Sequence, residues 1–148
     1  DRAPHAGVFQ PVQLGVADSA TTQGARYVSE REQFGRPLGE FQAVQHALAD
    51  CYLDVAAMRA TLWQAAWLLD TATKAGEDPG TAVAVAAWWA WDGGARVVHR
   101  VQHLHGGIGV DVDYPIHRFL LWGKQLAGLL GGPAAELQRL GDLIAGAR

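Results

Sequence analysis

Three histidines beside a glycine-rich segment form the first candidate site in the sequence. His99 and His103 are four residues apart, a spacing that puts two imidazoles on one helix face and is common among metal ligands. His105 follows directly before the segment "GGIG". The nearest carboxylates, Asp111 and Asp113, lie beyond that segment, so the motif lacks an acidic ligand. We therefore predict core or interface histidines and no metal site, with a two-histidine metal site as the alternative.

The segment "GGIG", residues 106–109, allows a different chemistry. Glycines let the backbone approach a ligand closely, and exposed backbone N–H groups suit an anion such as phosphate. The segment follows a predicted helix rather than a strand and lacks the G-x-G-x-x-G order, which excludes a Rossmann dinucleotide site. Taken alone, the segment is interpreted as a helix C-cap, and anion binding is the alternative.

Arg31 stands just ahead of a break in the helical pattern. The segment "QFGRPLG", residues 33–39, carries two glycines and a proline, which force a turn. An arginine at a chain reversal can present its planar guanidinium to a carboxylate or phosphate, or it can pair with Glu30 or Glu32 at the surface. The residues alone leave both interpretations open. The sequence shows no Ser-His-Asp or Cys-His arrangement with supporting context.

Helical periodicity covers most of the chain that must position these residues. Helices are predicted over 8–32, 40–75, 79–103, 116–129 and 133–145. Pro11 falls in the first turn of the first helix, where proline is tolerated. Gly93 and Gly94 interrupt the third helix, and close approach of another helix is the expected reason. No strand pattern or internal repeat is found, so the sequence predicts an all-α, antiparallel four-helix-type bundle.

Two predicted helices carry apolar stripes that should face the core. The stripe on the first helix consists of Val12, Val16, Ala20 and Tyr27. The stripe on the second consists of Phe41, Val44, Leu48, Tyr52, Val55 and Leu62. Tryptophans at helical spacing are interpreted as core or interface residues rather than the lining of a ligand pocket.

The composition is that of one globular domain. Of 148 residues, 49% are hydrophobic and 18% charged, which suits a single core and excludes a disordered chain. A net charge of −3 argues against nucleic-acid binding, and no apolar run approaches the roughly 20 residues that span a bilayer.

The single cysteine, Cys51, excludes a disulfide framework and indicates the cytoplasm. The opening at Asp1 without methionine predicts a fragment of a longer polypeptide.

Two separated motifs resemble those of the acyl-CoA dehydrogenases. The first, over residues 27–50, reads Y-x3-R-x-QFG-x-PL-x2-FQ-x2-Q-x2-LAD. The second is "HLHGGIGVDVDYPIHR", residues 103–118. They stand in the family's order and spacing, and the resemblance covers essentially the whole chain. It implies that residues 1–148 are the family's C-terminal helical domain, without the N-terminal helical and middle β-domains.

The resemblance also implies an FAD site shared with a neighbouring subunit. Arg31 would meet the pyrophosphate of the neighbour's FAD, and the glycine loop would approach it through backbone N–H groups. His103 stands where the family has a glutamine, and it can still donate one hydrogen bond. The implied cofactor-binding residues are Arg31, Gln33, Phe34, Gln42, His103, Gly106 and Gly107.

The family's catalytic glutamate is missing from both of its usual positions. Counting from Asp113 puts one position at Leu130, before Gly131, and counting back from Tyr27 puts the other at His5. Leucine cannot abstract the α-proton of a thioester, whereas histidine, with an ordinary pKa near 6.5, could act as a base. The resemblance therefore implies no catalytic residue on this chain, with His5 as the alternative base.

The function implied by the resemblance is that of an FAD-dependent acyl-CoA dehydrogenase subunit. Such chains resemble the non-catalytic halves of α2β2 dehydrogenases, which act on bulky substrates such as steroid side-chain CoA thioesters. The expected partners are an acyl-CoA and a homo- or hetero-oligomer with another acyl-CoA dehydrogenase subunit, with no nucleic acid and no membrane. The alternatives are a homotetrameric dehydrogenase with an unusual base and a non-catalytic structural helical module.

Overall fold

The computed structural model describes residues 3–75, 78–129 and 131–146. The helices in these ranges are α1 (Ala3–Glu30), α2 (Gln42–Ala75), α3 (Gly80–Trp88), α4 (Gly94–His105), α5 (His117–Leu129) and α6 (Gly132–Gly146). Helix α1 packs on α4 and α2, α2 packs on α4, and α3 packs on α6. The predicted all-α bundle is confirmed. None of the helices in the described ranges has the length and apolar content that crossing a membrane requires.

Helix α1 buries a face that the apolar stripe identified only in part. Its buried positions, three or four residues apart, are Gln10, Gln13, Ala17, Ala20, Gly24 and Val28. Val12 is 46% exposed, so its assignment to the core was wrong. Pro11 lies inside the helix rather than in its first turn, because α1 begins at Ala3. Half of these residues, Ala17, Ala20 and Gly24, are small, which lets α4 come close.

Helix α2 contributes Cys51, Val55 and Met58 to the main core, where they meet Val97 and Val101 of α4. The core prediction for Tyr52 was wrong, since its side chain is 67% exposed. A one-residue step rotates a helix by about 100°, which carries Tyr52 away from the face that buries its neighbour.

An ion-pair network joins α2 to α4. Asp54, which is buried, accepts from Arg96 Nη2 at 2.8 Å and from Arg100 Nη1 at 2.7 Å. Arg96 also pairs with Asp92, and Arg100 lies 3.7 Å from a carboxylate oxygen of Asp50. Arg100 thus connects two consecutive turns of α2 to α4, and Arg96 connects α2 to the turn that precedes α4.

The third predicted helix is divided by one π-helical turn, Trp89–Gly93. This turn separates α3 from α4 and places Trp91 in a fully buried position against Leu126. The expectation of close helix approach at the two glycines is confirmed for Gly94, where an ideal Cβ would lie 2.7 Å from Gln13 Cγ. A methyl group at residue 94 would therefore collide with α1.

A two-stranded β-hairpin connects α1 to α2, although the sequence showed no strand pattern. Its strands, β1 (Glu32–Gln33) and β2 (Arg36–Pro37), are antiparallel. The two loop residues, Phe34 and Gly35, have φ of +57° and +80°, as a type I′ turn requires. The hairpin projects from the bundle with Phe34 90% exposed at its tip.

Candidate functional site

The two motifs meet in one cleft of about 340 Å³. One wall comes from the end of α1 and the hairpin, and the other comes from the end of α4 and the 3₁₀ turn Gly106–Val110. The lining residues are Tyr27, Arg31, Gln33, Leu38, Leu104, His105, Gly106, Gly107 and Ile108. Segments far apart in the sequence are thus brought together by the packing of α1 on α4.

The backbone on both sides of Arg31 is fixed. Its amide donates to the carbonyl of Tyr27 at 2.8 Å, and its carbonyl accepts from the amide of Leu38 at 2.8 Å. Glu30, one candidate partner of Arg31, instead accepts from Arg26 Nε at 3.0 Å. Within the described residues, no carboxylate forms an ion pair with Arg31. Its guanidinium is therefore available to an anion in the cleft.

The glycines of the second motif play two different roles. An ideal Cβ on Gly106 or Gly107 would have no atom within 4 Å, so both face open space at the cleft. Gly106 also has φ of +61°, which favours glycine. In contrast, an ideal Cβ on Gly109 would lie 3.1 Å from the carbonyl oxygen of Gln102. The first two glycines open the cleft, and the third lets the loop pack against α4.

The backbone donors of the loop are fewer than the sequence indicated. The amide of Gly106 donates to the carbonyl of His103 and so caps α4. In a 3₁₀ helix that begins at Gly106, the amide of Gly107 has no partner within the helix, whereas the amide of Ile108 is placed to donate to the carbonyl of His105 three residues earlier. The loop therefore offers the amide of Gly107 to a ligand, whereas Gly106 offers space and a turn.

An aromatic cluster joins the two walls of the cleft. The ring centroids of Tyr27 and His105 are 4.2 Å apart and their planes are inclined by 21°, a stacked arrangement. The hydroxyl of Tyr27 also donates a long, 3.4 Å hydrogen bond to the carbonyl of His105. Tyr114 closes the cluster with its ring 5.6 Å from the imidazole.

The imidazole of His105 is neutral at pH 7. The side chain is 3% exposed, and Nδ1 lies 2.8 Å from the carbonyl oxygen of Val101, an acceptor, so Nδ1 carries the proton. Burial lowers the pKa of His105, against the opposing effect of that hydrogen bond. Among the described residues, no partner is found for Nε2. The burial of His105 agrees with the prediction of a core or interface histidine, and Val98, Val101 and His105 recur at the spacing of a buried helix face.

Four of the predicted cofactor residues line the cleft: Arg31, Gln33, Gly106 and Gly107. The other three, Phe34, Gln42 and His103, are exposed and are not part of the lining. His105, rather than His103, is the histidine of the cleft.

The other candidate positions do not form a second site in the described structure. His99 and His103 are both exposed, and no group of three histidine, cysteine, aspartate or glutamate side chains in the described ranges could hold a metal ion. His5 belongs to helix α1, and Leu130 lies outside the described residues.

The sequence and the fold define the class of protein. Residues 9–140 match the family model of the acyl-CoA dehydrogenase C-terminal domain, and the chain belongs to the acyl-CoA dehydrogenase family. It is 46% identical over 137 residues to the acyl-CoA dehydrogenase FadE27 of Mycobacterium tuberculosis, covering 90% of this chain and 37% of that protein.

Solved structures show the same domain. The Tcur3481-Tcur3483 steroid ACAD has 61% identity and a TM-score of 0.88, over 96% of this chain and 38% of that one. The ChsE4-ChsE5 complex from Mycobacterium tuberculosis has 44% identity and a TM-score of 0.87, over 95% and 37% of the two chains. The chain therefore spans a little over a third of the length of the relatives that it matches.

Proposed function

We propose that the cleft between Arg31 and the glycine loop binds the diphosphate of FAD. The observation that carries this proposal is that an arginine without a carboxylate partner and two sterically open glycines line the same cleft. A guanidinium can donate two parallel hydrogen bonds to phosphate oxygens, and the amide of Gly107 can add a third. None of the residues that line the cleft is acidic, so nothing there repels a dianion.

The cleft accommodates only a portion of a dinucleotide, which is consistent with a cofactor shared between chains. Gln33 lies within the cleft, and the exposed Phe34, Gln42 and His103 are available to parts of the cofactor outside it. Exposed aromatic residues on α2, Tyr52, Trp63 and Trp67, provide apolar surface that suits contact with a further subunit.

The activity that we propose is α,β-desaturation of an acyl-CoA thioester. When bound, the flavin supplies the redox chemistry by accepting hydride from the β-carbon. This chain's residues would hold the diphosphate and so fix the cofactor relative to the substrate. A base must remove the α-proton, and neither position at which the family places its glutamate carries a carboxylate here.

We therefore assign this chain to the subunit that lacks its own base, in a hetero-oligomer with another acyl-CoA dehydrogenase subunit. The similarity to the ChsE4-ChsE5 complex and to the Tcur3481-Tcur3483 steroid ACAD supports this assignment. It also supports a steroid-type CoA thioester as the substrate. Burial raises the pKa of the Cys51 thiol to about 11, and a buried free thiol suits a cytoplasmic enzyme.

The test is to express the protein alone and together with the dehydrogenase chain encoded beside it. We expect yellow colour and acyl-CoA oxidation only from the co-expressed pair. If the protein alone is yellow and oxidises an acyl-CoA, the chain has its own base, and the homotetrameric alternative is correct. His5→Ala would then abolish turnover. A colourless but stable pair would instead identify a structural module.

A further inference from the structure

A continuous series of contacts runs from Arg31 to the glycine loop. The amide of Arg31 is bonded to Tyr27, the ring of Tyr27 stacks on His105, and the peptide of His105 leads directly into Gly106. The imidazole is bonded in turn to the carbonyl of Val101 in α4. Each wall of the cleft is thus attached to the other through one aromatic pair.

We propose that His105 is a positioning residue of the cleft, which holds the glycine loop opposite Arg31 while its imidazole is neutral and releases the loop when it is protonated. The identity of the ligand rests on the proposed function, whereas the contacts themselves do not. Protonation would place a second N–H donor at Nε2, a buried atom that has no acceptor among the described residues. A buried donor without a partner is costly, so the closed stack disfavours the imidazolium.

Among the described residues, the rings that face His105 are those of Tyr27 of α1 and Tyr114 of the following loop, and neither residue is a carboxylate. Burial raises the pKa of Tyr114, which keeps its hydroxyl uncharged near neutrality. Arg31 lines the same cleft and is positive. Glu30 lies close enough to influence Tyr114 but does not line the cleft.

The direction of the pH effect follows from these contacts. The pKa of His105 is lowered in the folded protein, whereas an unfolded or opened segment has the ordinary value near 6.5. The opened form therefore binds more protons, and the closed cleft loses stability as the pH falls below about 6.5. The affinity for a ligand that contacts both walls should fall together with the stability of the closed cleft.

The experiment measures FAD affinity of the purified assembly from pH 7 to pH 5. For the unmodified protein we expect the affinity to fall several-fold as the pH is lowered, in the direction set by the lowered pKa of His105. His105→Phe keeps an aromatic ring against Tyr27 but cannot titrate, so its FAD affinity, whatever its value at pH 7, should stay constant to pH 5. His99→Gln, on the exposed face of the same helix, should follow the parent. An unchanged pH profile in His105→Phe, or a flat profile in the parent, overturns the proposal.

A second measurement is independent of FAD. In the assembly labelled with ¹³C-histidine and ¹³C-tyrosine and without added cofactor, the His105 signal should titrate below pH 6.5, and the Tyr27 ring signals should change at the same midpoint. If FAD does not bind but these titrations coincide, the proposed function fails and the positioning role stands. If FAD binds but His105 titrates without affecting Tyr27, the positioning role is wrong.

Discussion

Gln13 of α1 fills the space that a side chain at Gly94 of α4 would need. An ideal Cβ on that glycine would lie 2.7 Å from Gln13 Cγ and 2.9 Å from Cδ. The glutamine is fully buried, and its amide donates to the carbonyl of Gly123 in α5 at 3.3 Å. Three helices therefore meet at a single polar side chain, which fixes how closely α1 and α4 approach.

Gly94→Ala should destabilise the bundle, because the added methyl group displaces Gln13 and separates α1 from α4. We expect the free energy of unfolding to fall by about 1–3 kcal/mol, as for other overpacked cores. The matched control is Gly15→Ala on α1, where an added Cβ meets nothing within 4 Å. In the Gly15→Ala variant the free energy of unfolding should rise by up to about 1 kcal/mol, because alanine has the higher helix propensity. Equal effects in chemical denaturation would show that the contact is unimportant.

Arg31→Ala should lower the FAD content of the assembly. Loss of a charge-assisted, two-point contact to the diphosphate should reduce affinity at least about tenfold, which corresponds to about 1.4 kcal/mol. The ratio of flavin absorbance to protein absorbance measures the FAD content. Arg26→Ala on the same helix removes only an exposed pair with Glu30 and should leave flavin content unchanged. Retention of full flavin content by the Arg31 variant would contradict the proposed contact between Arg31 and the diphosphate.

Gly35→Ala should lower FAD binding in the cleft more than it lowers the thermal stability of the bundle. The residue has φ of +80°, where a Cβ costs roughly 1–2 kcal/mol, so the hairpin should distort and move Gln33. Because the hairpin lies outside the core, thermal unfolding should change little while FAD affinity falls. Gly128→Ala, in α5 with open space around it, is the control. A large loss of thermal stability in the Gly35 variant would mean that the hairpin supports the core.

Asp54→Asn should weaken the connection between α2 and α4. Two arginines would lose their buried carboxylate, and we expect the free energy of unfolding to fall by about 2–4 kcal/mol. This range lies below the one for fully buried ion pairs because both arginines are about one third exposed. Asp18→Asn breaks an exposed pair with Arg59 and should cost less than about 1 kcal/mol. Urea titration distinguishes the two. Similar losses in both variants would contradict a special role for the network.

The helices were predictable because apolar residues recur along them, and the fold class followed. The hairpin was not predictable, because strands of only two residues are too short to leave an alternating pattern. Its turn sequence, Phe34-Gly35, also departs from the Asn-Gly and Asp-Gly pairs that usually indicate a type I′ turn. The stripe predictions failed at Val12 and Tyr52, since polar Gln13 and small Cys51 take the buried positions beside them.

The candidate site could be predicted from the sequence only through its resemblance to a family. Periodicity places Arg31 and Gly106 at the ends of two helices but does not indicate that those ends meet. Their juxtaposition depends on the close packing of α1 on α4, which in turn depends on Gly94. The sequence predicted core or interface histidines here, and His105 is buried, but the resemblance assigned the cofactor contact to His103. The stacking of His105 on Tyr27 is a property of the folded chain that neither motif indicates.

The π-helical turn Trp89–Gly93 marks the place where the helix from α3 to α4 can lose one residue and still keep the cleft. Such a turn holds one residue more than an α-helix of the same span. Removal of a single residue there would restore regular helix and leave His105 and the glycine loop opposite Arg31. Removal of one residue from regular helix in α4 would instead rotate everything that follows by about 100°. His105 and the glycine loop would then turn away from Arg31, although every side chain of the cleft would still be present.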